Sequence, residues 1–261
     1  MIISDQHRFA FVHVPKCAGT SVRVQLKRFD KYGGRFARKA FHPELGFVDY
    51  SHLPLQTLRE HFPETFEEVR SYRSFALVRE PQARFLSAVR QRIGEFRRVP
   101  EPEITPAMVL REAEAVIEHL AGNPHTLDAQ YIHFRRQADY VFCGPEQVVR
   151  HVLPIGRGEA LERFVRETMA PRFSLGLEEN VSRIARRPRL GAALQRLRPA
   201  VRGLAPPALK ATLWALLERL GVFERSGGGG RGGEVPSALR RRIHEHYRAD
   251  AELYVRVSTP A

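Results

Sequence analysis

The sequence has little of what cross-links a protein or anchors it in a membrane. Its 261 residues include only two cysteines, Cys17 and Cys143, which is too few for a disulfide framework. No apolar run reaches the length that a bilayer requires, and the amino-terminal residues lack the hydrophobic segment of a signal peptide. We therefore expect one domain, residues 1–261, in the cytoplasm.

Acidic residues are also scarce, since 29 Asp and Glu face 42 Lys and Arg, for a formal net charge of +13. Much of this excess lies in residues 184–234, where leucines at helical spacing predict two amphipathic helices followed by a glycine-rich tether. The simpler interpretation is a helical hairpin packed on itself or on the core. The alternative is that residues 184–225 dock to an anionic partner or to the inner membrane surface.

The most informative segment is residues 9–21, Phe-Ala-Phe-Val-His-Val-Pro-Lys-Cys-Ala-Gly-Thr-Ser. Its apolar part predicts a buried strand that Pro15 ends, and a helix should begin near Gly19. Small residues, hydroxyls and a lysine at a helix N-terminus are suited to binding phosphate. The candidate contacts are Lys16, Ala18, Gly19, Thr20 and Ser21. The segment is not a Walker A loop, because its lysine precedes its glycine.

A second segment, residues 75–90, has a similar design. An apolar strand ends at Arg79, and Pro81 is well placed in the first turn of a following helix. Ser87 comes about two helical turns further on. Arg79 and Ser87 could therefore reach one anion at the carboxyl edge of a parallel sheet.

With both segments in view, the chain resembles the sulfotransferases that use 3′-phosphoadenosine-5′-phosphosulfate, especially the Golgi carbohydrate sulfotransferases and their bacterial relatives. In that family a V-P-K-x-x-G-T-S element holds the 5′-phosphosulfate and a V-R-x-P-x-x-R-F-x-S element holds the 3′-phosphate. The resemblance assigns the first role to Lys16, Gly19, Thr20 and Ser21, and the second to Arg79 and Ser87. Cys17-Ala18 departs from the Thr-Gly of many members, which makes the loop slightly less flexible. Because the sequence shows no membrane anchor, we expect a bacterial relative.

The resemblance also points to the acceptor side. Ser51-His52-Leu53 follows a predicted strand, so His52 should face the same crevice as Lys16. In several family members a similar strand-end histidine removes the proton from a sugar hydroxyl, which makes His52 the candidate base. A histidine that merely caps the next helix is the alternative. His42 and Glu44 are reserves, because other branches use a glutamate.

Residues 123–130 resemble the acceptor-side segment of the family, which adds His125 and Gln130 as candidate substrate contacts. The match is loose. An ordinary loop that connects two helices is the simpler interpretation of this segment.

The implied reaction is sulfuryl transfer to a hydroxyl, most simply that of a carbohydrate or glycolipid. Lys16 would neutralise charge on the leaving 5′-phosphate and His52 would accept the proton. We expect no metal, because the sequence has no clustered Cys/His spacing. One alternative is a nucleotide-dependent kinase, which the missing Walker A order disfavours. The other is a basic nucleic-acid-binding protein, which leaves both anion segments unexplained, so no nucleic acid is expected.

Alternating strands and helices predict a P-loop-like, three-layer α/β domain with a central, mainly parallel sheet, helices on both faces and a helical insertion. We expect strands near residues 8–14, 45–50, 74–79 and 139–143. We expect helices near residues 19–30, 54–62, 81–97, 106–121, 145–153, 158–169 and 237–253.

Overall fold

The structure is a computed structural model that describes residues 1–155, 158–168, 183–185, 223–225 and 234–259. The strands in these ranges are β1 (Ile2–Ser4), β2 (Phe9–Val12), β3 (Lys39–His42), β4 (Gly46–Asp49), β5 (Arg73–Val78), β6 (Phe142–Cys143), β7 (Glu146–Gln147), β8 (His151–Pro154), β9 (Arg183–Ala185) and β10 (Phe223–Arg225). The helices are α1 (Gly19–Leu26), α2 (Leu55–His61), α3 (Pro63–Ser71), α4 (Pro81–Phe96), α5 (Pro106–Gly122), α6 (Gly158–Thr168), α7 (Ser237–His246) and α8 (Arg248–Ser258).

The central sheet has the strand order β1-β2-β5-β8. β2, β5 and β8 run parallel, and β1 adds an antiparallel edge. This confirms the α/β class with a mainly parallel sheet. Because β2 and β5 are neighbours with the same direction, the segments that follow them emerge at one edge of the sheet. Those segments, which contain Lys16 and Arg79, are the two candidate anion-binding segments, called the anion segments below.

Aromatic packing explains why β2 and β5 are central. Phe11 lies opposite Phe75 in the register, with ring centroids 5.0 Å apart, and Phe9 lies on the same face. Phe164 of α6 contacts Phe75 at 5.1 Å. The alternate residue Ala76 is also buried, so β5 is covered on both faces, as expected of a strand in a parallel sheet.

Two strand predictions need correction. Residues 46–49 form a strand, but β4 pairs with β3 in a separate antiparallel hairpin and does not join the central sheet. Residues 137–140 form a 3₁₀ turn, and only Phe142–Cys143 extend, in a short pairing with β7. The third parallel strand is β8 instead.

The predicted helix at residues 145–153 is wrong, because this stretch contains β7 and β8. β-branched valines recur through Val148, Val149 and Val152, and such residues favour strands. Pro154 ends the strand at the edge of the sheet, where its missing N–H leaves no ladder bond unmade.

The remaining helix predictions differ mainly at their ends. α1 stops at Leu26 and continues as a 3₁₀ turn through Phe29. The predicted helix 237–253 is broken at Tyr247, whose φ of −104° and ψ of 26° are not helical. The second of the two helices, α8, ends at Ser258, five residues beyond the predicted end. The sequence prediction did not include α3, which has Pro63 in its first turn.

The described helices contribute to two apolar clusters. One surrounds the sheet and includes residues of α1, α2, α3 and α6; the other joins α4, α5 and α7. None of the described helices is long and apolar enough to cross a membrane. The predicted helices between residues 184 and 234 lie outside the described residues, which include only the antiparallel pair β9 and β10 in that region.

The fully buried ring of Phe75 should be essential to the sheet. Phe75→Ala should lower the free energy of unfolding by about 3–5 kcal/mol, because it removes a large apolar side chain and leaves a cavity. Phe47→Ala is the matched control, since Phe47 is 61% exposed, and it should change the stability by no more than about 0.5 kcal/mol. Urea denaturation measures both, and equal effects would contradict the assigned packing.

Candidate active site

The loop between β2 and α1, residues 13–18, has an unusual backbone. Lys16 and Ala18 both have left-handed conformations, with φ values of 64° and 57°. Such a conformation costs a residue with a Cβ roughly 1–2 kcal/mol. Ala18 occupies the N-cap position of α1 and makes no side-chain bond to it. Left-handed turns at a helix N-terminus direct backbone N–H groups toward one point, an arrangement suited to anions.

The side chain of Lys16 extends from this loop to α4. Its Nζ donates a 2.8 Å hydrogen bond to Oε1 of Gln91. Burial lowers the pKa of Lys16, and the positive charge of Arg79 lowers it further. The charge of Arg79 therefore reaches Lys16, as expected of two segments that follow neighbouring parallel strands.

The side chains expected to donate hydroxyls are arranged around the same loop. Thr20 is exposed in the first turn of α1, and Ser21 follows it, half-buried. Ser87 is half-buried on α4, four residues before Gln91. Residues four apart lie on the same face of a helix, so Ser87 lies on the face of α4 that contacts Lys16.

Gln137 holds the two anion segments together, although nothing in the sequence singled it out. Its Oε1 accepts the backbone N–H of Arg79 at 2.8 Å, and its Nε2 donates to the Arg79 carbonyl at 2.8 Å. The same Oε1 lies 3.2 Å from Sγ of Cys17. The fully buried amide thus fixes the end of β5 against the β2–α1 loop.

Cys17 is a buried packing residue in this loop. Its thiol is 1% exposed, and burial raises its pKa to about 12. A thiol with so high a pKa is not a nucleophile at neutral pH.

Gly19 is required by the close approach of His13. A Cβ at position 19 would lie 2.0 Å from Cδ2 of His13, which no real contact permits. The glycine at the start of α1 therefore makes room for a buried histidine. His13 in turn contacts His52, with ring centroids 4.5 Å apart.

His52 lies in a buried 3₁₀ turn directly after β4, Tyr50–His52. Its Nδ1 lies 3.1 Å from the His13 carbonyl oxygen, so Nδ1 carries the proton and Nε2 keeps the lone pair. Tyr140 donates its hydroxyl to the His52 carbonyl. Burial, together with His133, lowers the pKa of His52 to about 3, which leaves the ring uncharged at neutral pH.

His133 and Asp49 complete a cluster that the sequence did not reveal. Ligand-type atoms of Asp49, His52 and His133 all lie within 4.8 Å of one another. Burial lowers the pKa of His133 to about 4, and the next contribution is the charge of Lys16. The ring of His133 also lies against that of His52, with centroids 5.1 Å apart. Neither residue belongs to a recognisable motif, and His133 lies far from Asp49 and His52 in the sequence.

The other acceptor candidates lie elsewhere. His42 accepts the backbone N–H groups of Glu44 and Leu45 at 3.2 and 3.3 Å, and Glu44 pairs with His61 at 2.9 Å. His61 and His125 line a separate cavity of about 760 Å³ whose lining includes none of the candidate phosphate contacts. Gln130 accepts from buried Arg92 at 3.2 Å. The contacts of His42 and Gln130 are those of residues that brace loops.

Part of this sequence is similar to the sequences of known proteins. A family model described as "Sulfotransferase family" matches residues 1–186. Carbohydrate sulfotransferase 14 of Danio rerio is 30% identical over 162 residues, which are 59% of this chain and 39% of that protein. The chain therefore spans about two fifths of the length of this relative. No solved structure matches the chain.

The left-handed conformation of Ala18 gives a direct test of the loop geometry. Ala18→Gly should stabilise the fold, or leave it unchanged within about 1 kcal/mol, because glycine adopts this conformation without a Cβ clash. Ala18→Val should destabilise it, since a β-branched side chain makes the same conformation more strained. Thermal unfolding of the two variants measures the difference. Greater stability of the valine variant would show that the loop is not left-handed at this residue.

Proposed function

The chain belongs to the sulfotransferase family, and we propose that it moves a sulfuryl group from 3′-phosphoadenosine-5′-phosphosulfate to a hydroxyl of a carbohydrate or glycolipid. The observation that carries this proposal is the juxtaposition of two charges and a base. The charge of Arg79 lowers the pKa of Lys16 at one sheet edge, and the charge of Lys16 in turn lowers the pKa of His133 in the adjoining histidine cluster. A nucleotide donor with two anionic ends and a hydroxyl acceptor need these two kinds of group side by side.

The donor is proposed to bind by its two ends. The β2–α1 loop, with Lys16, Thr20 and Ser21, receives the 5′-phosphosulfate, and Arg79 with Ser87 receives the 3′-phosphate. Support comes from the left-handed loop at the N-terminus of α1 and from the position of Ser87 on the face of α4 that contacts Lys16. Gln137 sets the separation between the two ends, because it bonds to both segments.

The chemical step is proposed to be an in-line transfer with a loose transition state, in which positioning and electrostatics supply most of the acceleration. Nε2 of His52 accepts the proton of the acceptor hydroxyl as its oxygen bonds to sulfur. The S–O bond to the 5′-phosphate breaks, and Lys16 stabilises the charge that develops on that phosphate. The uncharged ring of His52 is in the protonation state that a base requires.

Asp49 is proposed to assist His52. Burial alone would raise the pKa of Asp49, yet His52 and the hydrogen bond from the Ser51 backbone N–H hold it below its usual value. The carboxylate is therefore charged at neutral pH. It stabilises the imidazolium that forms when His52 takes the proton.

The hairpin of β3 and β4 suggests how a sugar could reach this base. Phe41 and Phe47 lie directly opposite each other and are 71% and 61% exposed. Asp49 lies two residues beyond Phe47, hence on the same face of the strand. Exposed aromatic pairs of this kind mark binding surfaces, and the apolar face of a sugar ring can pack on them. The name of the zebrafish relative, a carbohydrate sulfotransferase, agrees with such an acceptor.

The donor proposal is tested by nucleotide binding. Adenosine 3′,5′-bisphosphate should bind far better than AMP, and Arg79→Ala should weaken it about 10–100-fold, because charge-assisted hydrogen bonds contribute about 1.5–3 kcal/mol. Arg70→Ala is the control, since this exposed arginine pairs with Glu67 on the surface. Calorimetry measures each affinity. Equal affinities for AMP and the bisphosphate would refute two-ended binding, and preference for ATP with magnesium would favour a kinase.

The base is tested by transfer of radiolabelled sulfate to a panel of glycans and glycolipids. His52→Asn should lower turnover roughly 100-fold or more and leave donor affinity nearly intact, because asparagine can keep the bond to the His13 carbonyl but cannot accept the proton. Lys16→Ala should impair both turnover and donor binding. If His52→Asn remains active and Glu44→Gln does not, the base is the glutamate.

A further inference from the structure

We propose that Asp49, His52 and His133 form a binding site for a divalent transition-metal ion of the zinc type, and that the ion inhibits the enzyme by occupying its base. The binding itself is independent of the reaction. The inhibition rests on the proposed function, because it requires that His52 accept the acceptor proton. The metal has no part in the transfer step.

The donor set has the right chemistry. Two imidazoles and one carboxylate are a common three-ligand set for Zn²⁺, with a fourth position left to water. The ligand atoms of the three side chains lie within 4.8 Å of one another. Ligands at Zn²⁺ bond lengths lie about 3.4 Å apart in a tetrahedron, so small rotations of these side chains would close the site.

The surrounding contacts hold the ligands in suitable states. The bond between Nδ1 of His52 and the His13 carbonyl oxygen leaves Nε2 as the metal-binding atom, the usual way in which a second contact orients a ligating histidine. His133 is positioned through its backbone, because Arg84 donates to its carbonyl oxygen at 2.9 Å. Asp49 is fixed by the 2.9 Å bond that Oδ1 accepts from the Ser51 N–H.

A second observation at the same place is the state of His13. It is 5% exposed and its ring lies 4.5 Å from that of His52, yet Nδ1 has no hydrogen-bond partner among the described residues. Buried polar atoms are rarely left without a partner, and the exceptions often mark sites for water or ions. A metal-bound water in the fourth position would supply a polar neighbour to this histidine cluster.

Charge sets the strength of the site. Asp49 contributes one negative charge to the site. Lys16 opposes it with a positive charge, which lowers the pKa of His133. A dication therefore meets partial repulsion, and we expect binding weaker than that of structural zinc sites. Bound adenosine 3′,5′-bisphosphate would neutralise Lys16 and so strengthen metal binding, since coupling between two ligands is reciprocal.

The experiment is calorimetric titration of the full chain with zinc chloride, without nucleotide. We expect one zinc ion per chain and a loss of affinity of at least about 10-fold in His133→Gln, the scale seen when a ligand environment is disrupted. Asp49→Asn gives a second variant if His133→Gln proves unfolded by circular dichroism. His244→Gln is the matched control, because His244 is an exposed histidine on α7. Unchanged affinity in both cluster variants would refute the site, as would an equal loss in His244→Gln.

Activity then separates the two proposals. Zinc should inhibit sulfuryl transfer at concentrations that match its binding affinity, and EDTA should restore the rate. If zinc binds through the cluster but no transfer is found with any acceptor, the site stands and the proposed function fails. If transfer is found and zinc neither binds nor inhibits, the function stands and the metal site is wrong.

Discussion

The buried amide of Gln137 is the contact on which the geometry of the site depends. It pairs with both the N–H and the carbonyl of Arg79 and also reaches Cys17, so a single side chain sets the distance between the two anion segments. An amide is suited to this task because it donates and accepts at once. An apolar residue of the same size would leave the buried backbone groups of Arg79 without a side-chain partner, at a cost of about 1–3 kcal/mol.

Gln137 is itself held by the last helix of the chain. Both carboxylate oxygens of Asp250 accept backbone N–H groups, one from Gln137 at 2.8 Å and one from Ala138 at 3.0 Å. Arg84 lies 3.6 Å from this carboxylate and donates to the carbonyl oxygens of His133 and Arg135. A buried carboxylate is costly unless its oxygens are bonded in this way, and burial does raise the pKa of Asp250. The network therefore fixes Gln137 toward the anion segments and His133 toward His52.

The sequence predicted what local patterns encode and missed what long-range packing decides. Buried strands that end in a lysine or an arginine carry their own signal, so β2, β5 and the convergence of Lys16 with Arg79 were predictable. β8 was not, because a short valine-rich run fits a strand or a buried helix equally well until its neighbours are known. His133 was also unpredictable. It follows no motif, and the bond of Arg84 to its carbonyl oxygen, which helps to hold it near His52, joins residues that are far apart in the sequence.

Several costly features lie together at the site, although Arg8 and Arg98 also have left-handed backbone elsewhere. Left-handed backbone at Lys16 and Ala18, the close contact of His13 with Gly19 and the buried histidine pair all lie within one loop, one helix start and one 3₁₀ turn. Selection for stability alone would place glycine at position 18 and an apolar side chain at position 13. Strain that persists in one place indicates a functional demand on that place, because the surrounding core must offset it. The proposed binding of an anion beside a buried histidine would be such a demand, and this physical argument reaches the same site as the family resemblance by an independent route.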